Sequence, residues 1–124
     1  MTDGRGSNGR GHSPSPAEAI DRLAAELDEI ERREAGIAVE YARGGALFAI
    51  REGLRLSFRL RPEIAEAALR TPDTTHSHRG NDWIALQPRV VDGFALDRAL
   101  AWFESAWRLA GESSEGRLPP SRPN

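Results

Sequence analysis

Between Leu54 and Arg61 apolar and polar residues alternate without a break: Leu54, Leu56, Phe58 and Leu60 against Arg55, Ser57, Arg59 and Arg61. A period of two belongs to a half-buried β-strand, because successive side chains leave opposite faces. One face of this strand must therefore be covered, and the other carries arginines. The rest of the fold has to supply that cover.

The preceding residues supply strand partners. Ile37, Val39 and Tyr41 alternate with smaller or polar residues, and so do Ala46, Phe48 and Ile50. A two-residue Gly44-Gly45 turn pairs Tyr41 with Phe48 and Val39 with Ile50, which puts both apolar sets on one face. At the next corner, a two-residue Glu52-Gly53 turn sets Phe48 and Ile50 against Ser57 and Arg55. A three-residue loop, Arg51-Glu52-Gly53, sets Ile50 against Leu54 and Phe48 against Leu56. Since a one-residue slip moves every side chain to the other face, the second solution is preferred. It predicts a G1 bulge at Gly53.

Helices flank this meander. Ser15-Pro16-Ala17-Glu18 carries a capping box with proline at the first helical position. Ile20, Leu23, Leu27 and Ile30 come next at helical spacing, and Gly36 is the expected stop. Pro62 opens a short helix to Arg70, and Thr71 to Asn81 reads as a polar loop. Asp82 to Gln87 reads as a fourth strand, ended by Pro88. The last helix is expected from Phe94 to Ala110, with Leu96, Leu100, Phe103 and Trp107 as its stripe and Gly111 as its stop. The predicted class is α+β in the order α-β-β-β-α-β-α, with the sheet packed under the first and last helices. One domain is expected over residues 16–111, between disordered tails at 1–15 and 112–124, both too poor in apolar residues to offset their ordering entropy.

Composition removes several chemistries. The chain of 124 residues has neither cysteine nor lysine and a net charge of −2. Disulfides, thiolate catalysis and cysteine zinc sites are out, as are Schiff-base chemistry and a phosphate-loop lysine. The N-terminus has basic residues but no apolar stretch of a secretory signal. No apolar run approaches the roughly 20 residues of a membrane span. A cytoplasmic protein with no membrane partner and no cofactor is expected.

Three constellations could carry function. On the outer sheet face, Arg55, Arg59 and Arg61 stand with Trp83, Ala85 and Gln87 if Ile84 and Leu86 turn inward; the opposite choice makes Trp83 a core residue. Arginines contact phosphates and an indole stacks on bases, while a solvated polar face needs no ligand at all. The loop His76-Ser77-His78-Arg79-Gly80-Asn81-Asp82 brings two histidines close, with Asp73 or Asp82 available as a third metal ligand. Trp102 lies off the helical stripe, where it would wedge against the sheet edge or enter a homodimer contact.

From Phe48 onward the residues resemble the MmcQ/YjbR-like family of small bacterial proteins. The resemblance rests on Phe48-Ala49-Ile50, the Gly-closed turn, the Leu54–Leu60 strand, Arg61-Pro62-Glu63-Ile64-Ala65, the His/Arg loop, Asp82-Trp83-Ile84-Ala85-Leu86 and the last helix. It implies a CyaY-like, double-wing α+β fold and a DNA-binding role. The chain departs from the family pattern in having no lysine and in the loop before Trp83. Three functions stand open: a non-enzymatic binding module for DNA or a small anion, using Arg55, Arg59, Arg61, Trp83, His76, His78 and Arg79; a metal- or small-molecule-dependent protein using His76 and His78; and a homodimeric interaction domain.

Overall fold

The computed structural model describes residues 15–117, so the N-terminal stretch and the last seven residues expected as tails lie outside the described residues. The first helix, α1 (Pro16–Glu26), starts as the sequence dictates. Ser15 Oγ accepts from the Glu18 amide at 3.1 Å, and the Glu18 carboxylate accepts from the Ser15 amide at 3.0 Å. It ends ten residues before the expected glycine stop, because Leu27 turns extended and Glu29 adopts a left-handed φ of 63°. The Trp107 indole donates to the Asp28 carbonyl at 2.8 Å and pins this turn from the last helix.

The residues after this turn, expected to continue α1, form a strand instead. Strand β1 (Ile30–Ala35) pairs along its whole length with β2 (Ala38–Arg43). Gly36, at φ 64°, closes the hairpin as the first central residue of a two-residue turn. Gly36 is thus a turn residue and not a helix stop. Leu27 and Ile30 still pack against the core, so the helical spacing that suggested a longer α1 is satisfied by other means.

Strands β3 (Ala46–Glu52) and β4 (Arg55–Arg59) continue the meander. Gly44 and Gly45 both have positive φ, as a two-residue hairpin turn demands. The registers differ from expectation. Ala42 opposes Leu47 but Tyr41 opposes Ala49, so Phe48 is an extra residue on β3. The bulge sits at Phe48 and not at the next corner. Beyond it Ile50 opposes Glu40, and Gly53-Leu54 forms a plain two-residue turn with Ile50 opposite Ser57 and Arg51 opposite Leu56. Both schemes insert one residue to bring Tyr41, Leu56 and Phe58 to a common face. The chain inserts it where Phe48 can enter the core against Phe103, ring centroids 5.2 Å apart. Two expected core residues move in consequence: Leu54 is exposed at the turn, and Ile50 is buried on the opposite face.

The short helix α2 (Pro62–Ala68) leads to β5 (Thr74–His76), a strand inside the expected polar loop, and then to β6 (Trp83–Leu86). The sheet is antiparallel throughout, in the order β1-β2-β3-β4-β6-β5, where four strands were expected. The last helix, α3 (Gly93–Arg117), runs through Gly111 and carries the chain past the expected domain boundary. Its buried face is Ala95, Ala99, Phe103, Ala106 and Ala110, with Leu100 and Trp107 half-buried beside it. Small alanines let α3 lie close on β2, β3 and β4.

One face of the sheet therefore carries the core: Ile20, Val39, Tyr41, Phe48, Leu56, Phe58, Leu60, Ile84, Leu86 and Phe103 form a single cluster, joined by Ala65 and Ala68 of α2. Fully burying an aliphatic or aromatic side chain of this kind contributes about 1.5–3 kcal/mol, so this face holds the domain together. The chain is α+β, and among the described residues no helix is long and apolar enough to cross a membrane.

Candidate functional site

The cross-strand pairs define the outer face row by row. Arg33, Glu40, Ile50, Ser57, Ala85 and Thr75 stand in one row across the sheet. Arg59 stands opposite Trp83 in the next, and Glu52 opposite Arg55 on the other side. Ile50, Ser57, Trp83 and Ala85 are buried, yet the three apolar ones stand outside the core cluster. Arg55 and Arg59 thus share the outer face with Trp83, as the alternation requires. Trp83 is outward on the sheet but not bare: the Arg79 guanidinium lies 5.5 Å from its ring centroid.

Arg61 leaves this face. It is the residue before α2 and forms an ion pair with Glu112 of α3, so the expected row of three arginines is a pair. Arg59 is itself engaged, donating to Asp82 at 2.8 Å. Sign alternates across the outer face, with Glu31, Glu40 and Glu52 among Arg33, Arg55 and Arg59.

The histidine loop is a tight connection between β5 and β6. Ser77 N donates to the Trp83 carbonyl at 3.0 Å, Trp83 N to the Gly80 carbonyl at 3.2 Å, and Ser77 Oγ accepts from Arg79 N at 3.2 Å. His76 and His78 are exposed. Their expected third metal ligands are occupied elsewhere, Asp82 by Arg59 and Asp73 by Arg89. Among the described residues no three of histidine, aspartate and glutamate gather in a metal-holding group. Trp102 is half-buried and meets Phe58 edge-on, centroids 6.3 Å apart, which makes it part of the packing.

A cluster that the sequence alone does not bring together lies where the outer face meets the α3 N-terminus. Two adjoining clefts share Asp73 and Arg89. The first, about 530 Å³, is lined by Leu54, Arg55, Thr75, Ala85, Gln87 and Pro88 besides the shared pair. The second, about 470 Å³, adds Pro72, Val90, Asp92, Phe94 and Arg98. Both fall in the size range of small-ligand sites.

Local chemistry fixes this region. Thr71 Oγ1 donates to the Ala68 carbonyl at 2.7 Å and stands 2.9 Å from Thr74 Oγ1, so the Thr71-Pro72-Asp73-Thr74 turn is braced at both ends. Asp73 is held at φ 62°, a conformation that aspartate tolerates and that most residues resist. Its carboxylate accepts from the Arg89 amide at 3.1 Å and from Arg89 Nε at 2.8 Å. These two bonds, with Arg89 and Arg98 charge beside them, hold its pKa below the ordinary aspartate value. Asp92 caps α3 by accepting from Ala95 N at 2.9 Å. Arg98 Nε is buried and has no hydrogen-bond partner among the described residues. Around these charges stand exposed apolar side chains: Leu54, Val90 and Phe94 line the clefts, and Val91 lies between the last two in sequence.

The signals for this cluster are present in the chain but distant from one another. A Val-Val pair between Pro88 and Asp92-Gly93 is unusual in a connector, and Thr-Pro-Asp-Thr is a turn signature. Strand β5 joins them, because it brings Asp73 beside Arg89. Compared with known proteins, the chain matches no family, no curated protein and no solved structure.

Proposed function

We propose that this domain is a cytoplasmic, non-enzymatic binding module whose ligand is a small anion seated in the paired clefts around Asp73 and Arg89. The observation that carries this reading is Arg98 Nε, a buried guanidinium N–H without an acceptor among the described residues. Leaving such a donor unpaired costs about 1–3 kcal/mol, and a shift of the Arg98 side chain toward a ligand oxygen in the second cleft, which it lines, would satisfy it. Arg55 and Arg89 line the same pair of clefts and offer further forked donors. Leu54, Val90 and Phe94 favour an anion with an apolar body, such as an aromatic or aliphatic carboxylate.

The mixed sign of the outer face weighs toward a compact anion and away from a long phosphate backbone, which calls for a basic stripe. DNA binding, which the family resemblance implies, would instead use Arg55, Arg59 and Trp83. Calorimetric titration at low salt separates the two. Benzoate, citrate or inorganic phosphate is expected to bind, with affinity falling about tenfold or more in Arg89→Ala and in Arg98→Gln. Absence of heat from all three anions would reject the reading. Tight binding of an oligonucleotide that depends on Arg55 and Arg59, with Arg98→Gln silent, would replace it with the DNA alternative.

A further inference from the structure

The two ends of the sheet are protected very differently. At one end β5 is three residues long, comes after Pro72 and begins next to the left-handed Asp73. Shortness, proline and irregular backbone are the usual guards of an edge. At the other end β1 has six residues, contains no proline or glycine, and pairs with β2 without a register shift. Among the described residues nothing pairs with its outward edge. Among the described residues its guard is charge, in the order Glu31-Arg32-Arg33-Glu34.

That charge order sets opposite charges face to face in two registers, and one of them gives Glu31 an ion partner that it lacks among the described residues. The two-residue turn makes Ala35 and Ala38 a hydrogen-bonded pair. Backbone groups alternate along a strand, so those of Arg33 and Glu31 also face β2, while those of Ile30, Arg32 and Glu34 face outward. An antiparallel two-fold pairing must set outward-facing residues against outward-facing residues, so its axis falls on a residue and not between two. With the axis on Arg32, Glu31 of each copy stands opposite Arg33 of the other, on the outer face. Glu31 has no ion partner among the described residues, and the Arg33 side chain is 74 % exposed, with Glu40 as its ion partner. The two Arg32 side chains meet on the inner face, but each is already bonded to its own Asp21 and Glu34. With the axis on Arg33, Arg32 of each copy faces Glu34 of the other, but these two are already bonded within each chain, the two exposed Arg33 side chains meet, and Glu31 faces Ala35 and gains nothing.

We infer that the β1 edge is a homodimer interface, in which two copies pair antiparallel about Arg32 and their sheets join into one with all helices on the same face. Backbone bonds supply the attraction, and the two Glu31–Arg33 pairs fix register. The full chain is expected to sediment as a dimer in analytical ultracentrifugation. Arg33→Glu and Glu31→Arg each turn two attractive contacts repulsive and should weaken dimerisation about tenfold. The double variant Glu31→Arg with Arg33→Glu restores attraction and should recover the original affinity. The Glu31→Arg variant leaves the Arg33–Glu40 pair in place, so its thermal melt should stay near the parent's, whereas Arg33→Glu sets two carboxylates opposite each other on β1 and β2 and should melt somewhat lower while remaining cooperative. A monomer at millimolar concentration would overturn the inference. So would a dimer indifferent to both single changes, which would put the contact elsewhere, for instance on Val90 and Phe94.

Discussion

The Tyr41 hydroxyl donates to Asp21 Oδ1 at 2.7 Å, tying the middle of β2 to helix α1. Around that bond Arg32 donates to both Asp21 oxygens, and Arg51 reaches Asp21 Oδ2 at 3.4 Å and the Tyr41 oxygen at 3.5 Å. Three strands and a helix are thus joined through one carboxylate. Tyr41→Phe removes a single neutral donor and leaves the arginines in place, so urea denaturation should show a loss of about 1 kcal/mol. Asp21→Asn leaves Arg51 short of an acceptor and should cost about 1–2 kcal/mol, kept modest because the Asp21 side chain is 37 % exposed. The two losses should not add, since both act on one bond.

The same network sets a pH window. Burial raises the Asp21 pKa, but the Tyr41 hydroxyl and the Arg32 and Arg51 charges outweigh it and hold it below the ordinary aspartate value. A depressed acid stabilises the fold above its unfolded pKa of about 3.9, and that contribution is lost as pH falls through the folded value. Burial, and next the bond to Asp21, raise the Tyr41 pKa. The unfolded chain then ionises first, so this contribution is full below about pH 10 and is lost as pH climbs beyond it. Denaturation midpoints should be flat between the two limits and fall outside them. In Tyr41→Phe the alkaline fall attributable to this group should vanish and the acid one should shrink without disappearing, because Arg32 and Arg51 still face Asp21; an unchanged alkaline limb would show that Tyr41 is not its source.

Gly111 lies inside α3, where glycine costs up to about 1 kcal/mol relative to alanine. The reason for it is Arg43. The Arg43 guanidinium sits where a Gly111 side chain would be, donates to the Trp107 carbonyl at 3.1 Å, and lies 4.0 Å from the Trp107 ring centroid. Gly111→Ala displaces it, forfeiting a charged hydrogen bond and a cation–π contact that together exceed the propensity gained. A net loss of about 1 kcal/mol is expected. With Arg43→Ala already present, the same change should stabilise by about 1 kcal/mol, and equal effects in both backgrounds would remove Arg43 as the explanation.

Local and distant contacts differ in how far the sequence alone reveals them. The capping box at Ser15 and Glu18, the alternation at β4 and the glycine pair at positions 44 and 45 are local, and each appears where the residues put it. The end of α1 is not local. Glu29 takes a left-handed φ with no glycine to announce it, because Arg43 and Trp107 hold the turn from distant elements. The clefts are hidden for the same reason, since Asp73 meets Arg89 only once β5 joins the sheet. Outer-face membership of Arg55, Arg59 and Trp83 comes from period-two alternation, whereas the loss of Arg61 to Glu112 depends on where α3 runs.

The position of the bulge separates local from tertiary control most directly, and the absence of cysteine makes it testable by cross-linking. Sequence alternation alone sets Ile50 opposite Leu54, whereas a bulge at Phe48 sets Ile50 opposite Ser57. Directly opposed residues in antiparallel strands have Cα atoms about 4.5–5.5 Å apart, within the span a disulfide bridges. The pair Ile50→Cys with Ser57→Cys should therefore oxidise readily in the folded protein and slow its unfolding. Ile50→Cys with Leu54→Cys should remain reduced under the same mild conditions, because Leu54 lies in the turn and points to solvent. The opposite outcome would move the bulge to Gly53, return Ile50 to the core face and part it from Ser57, which would keep its place opposite Ala85.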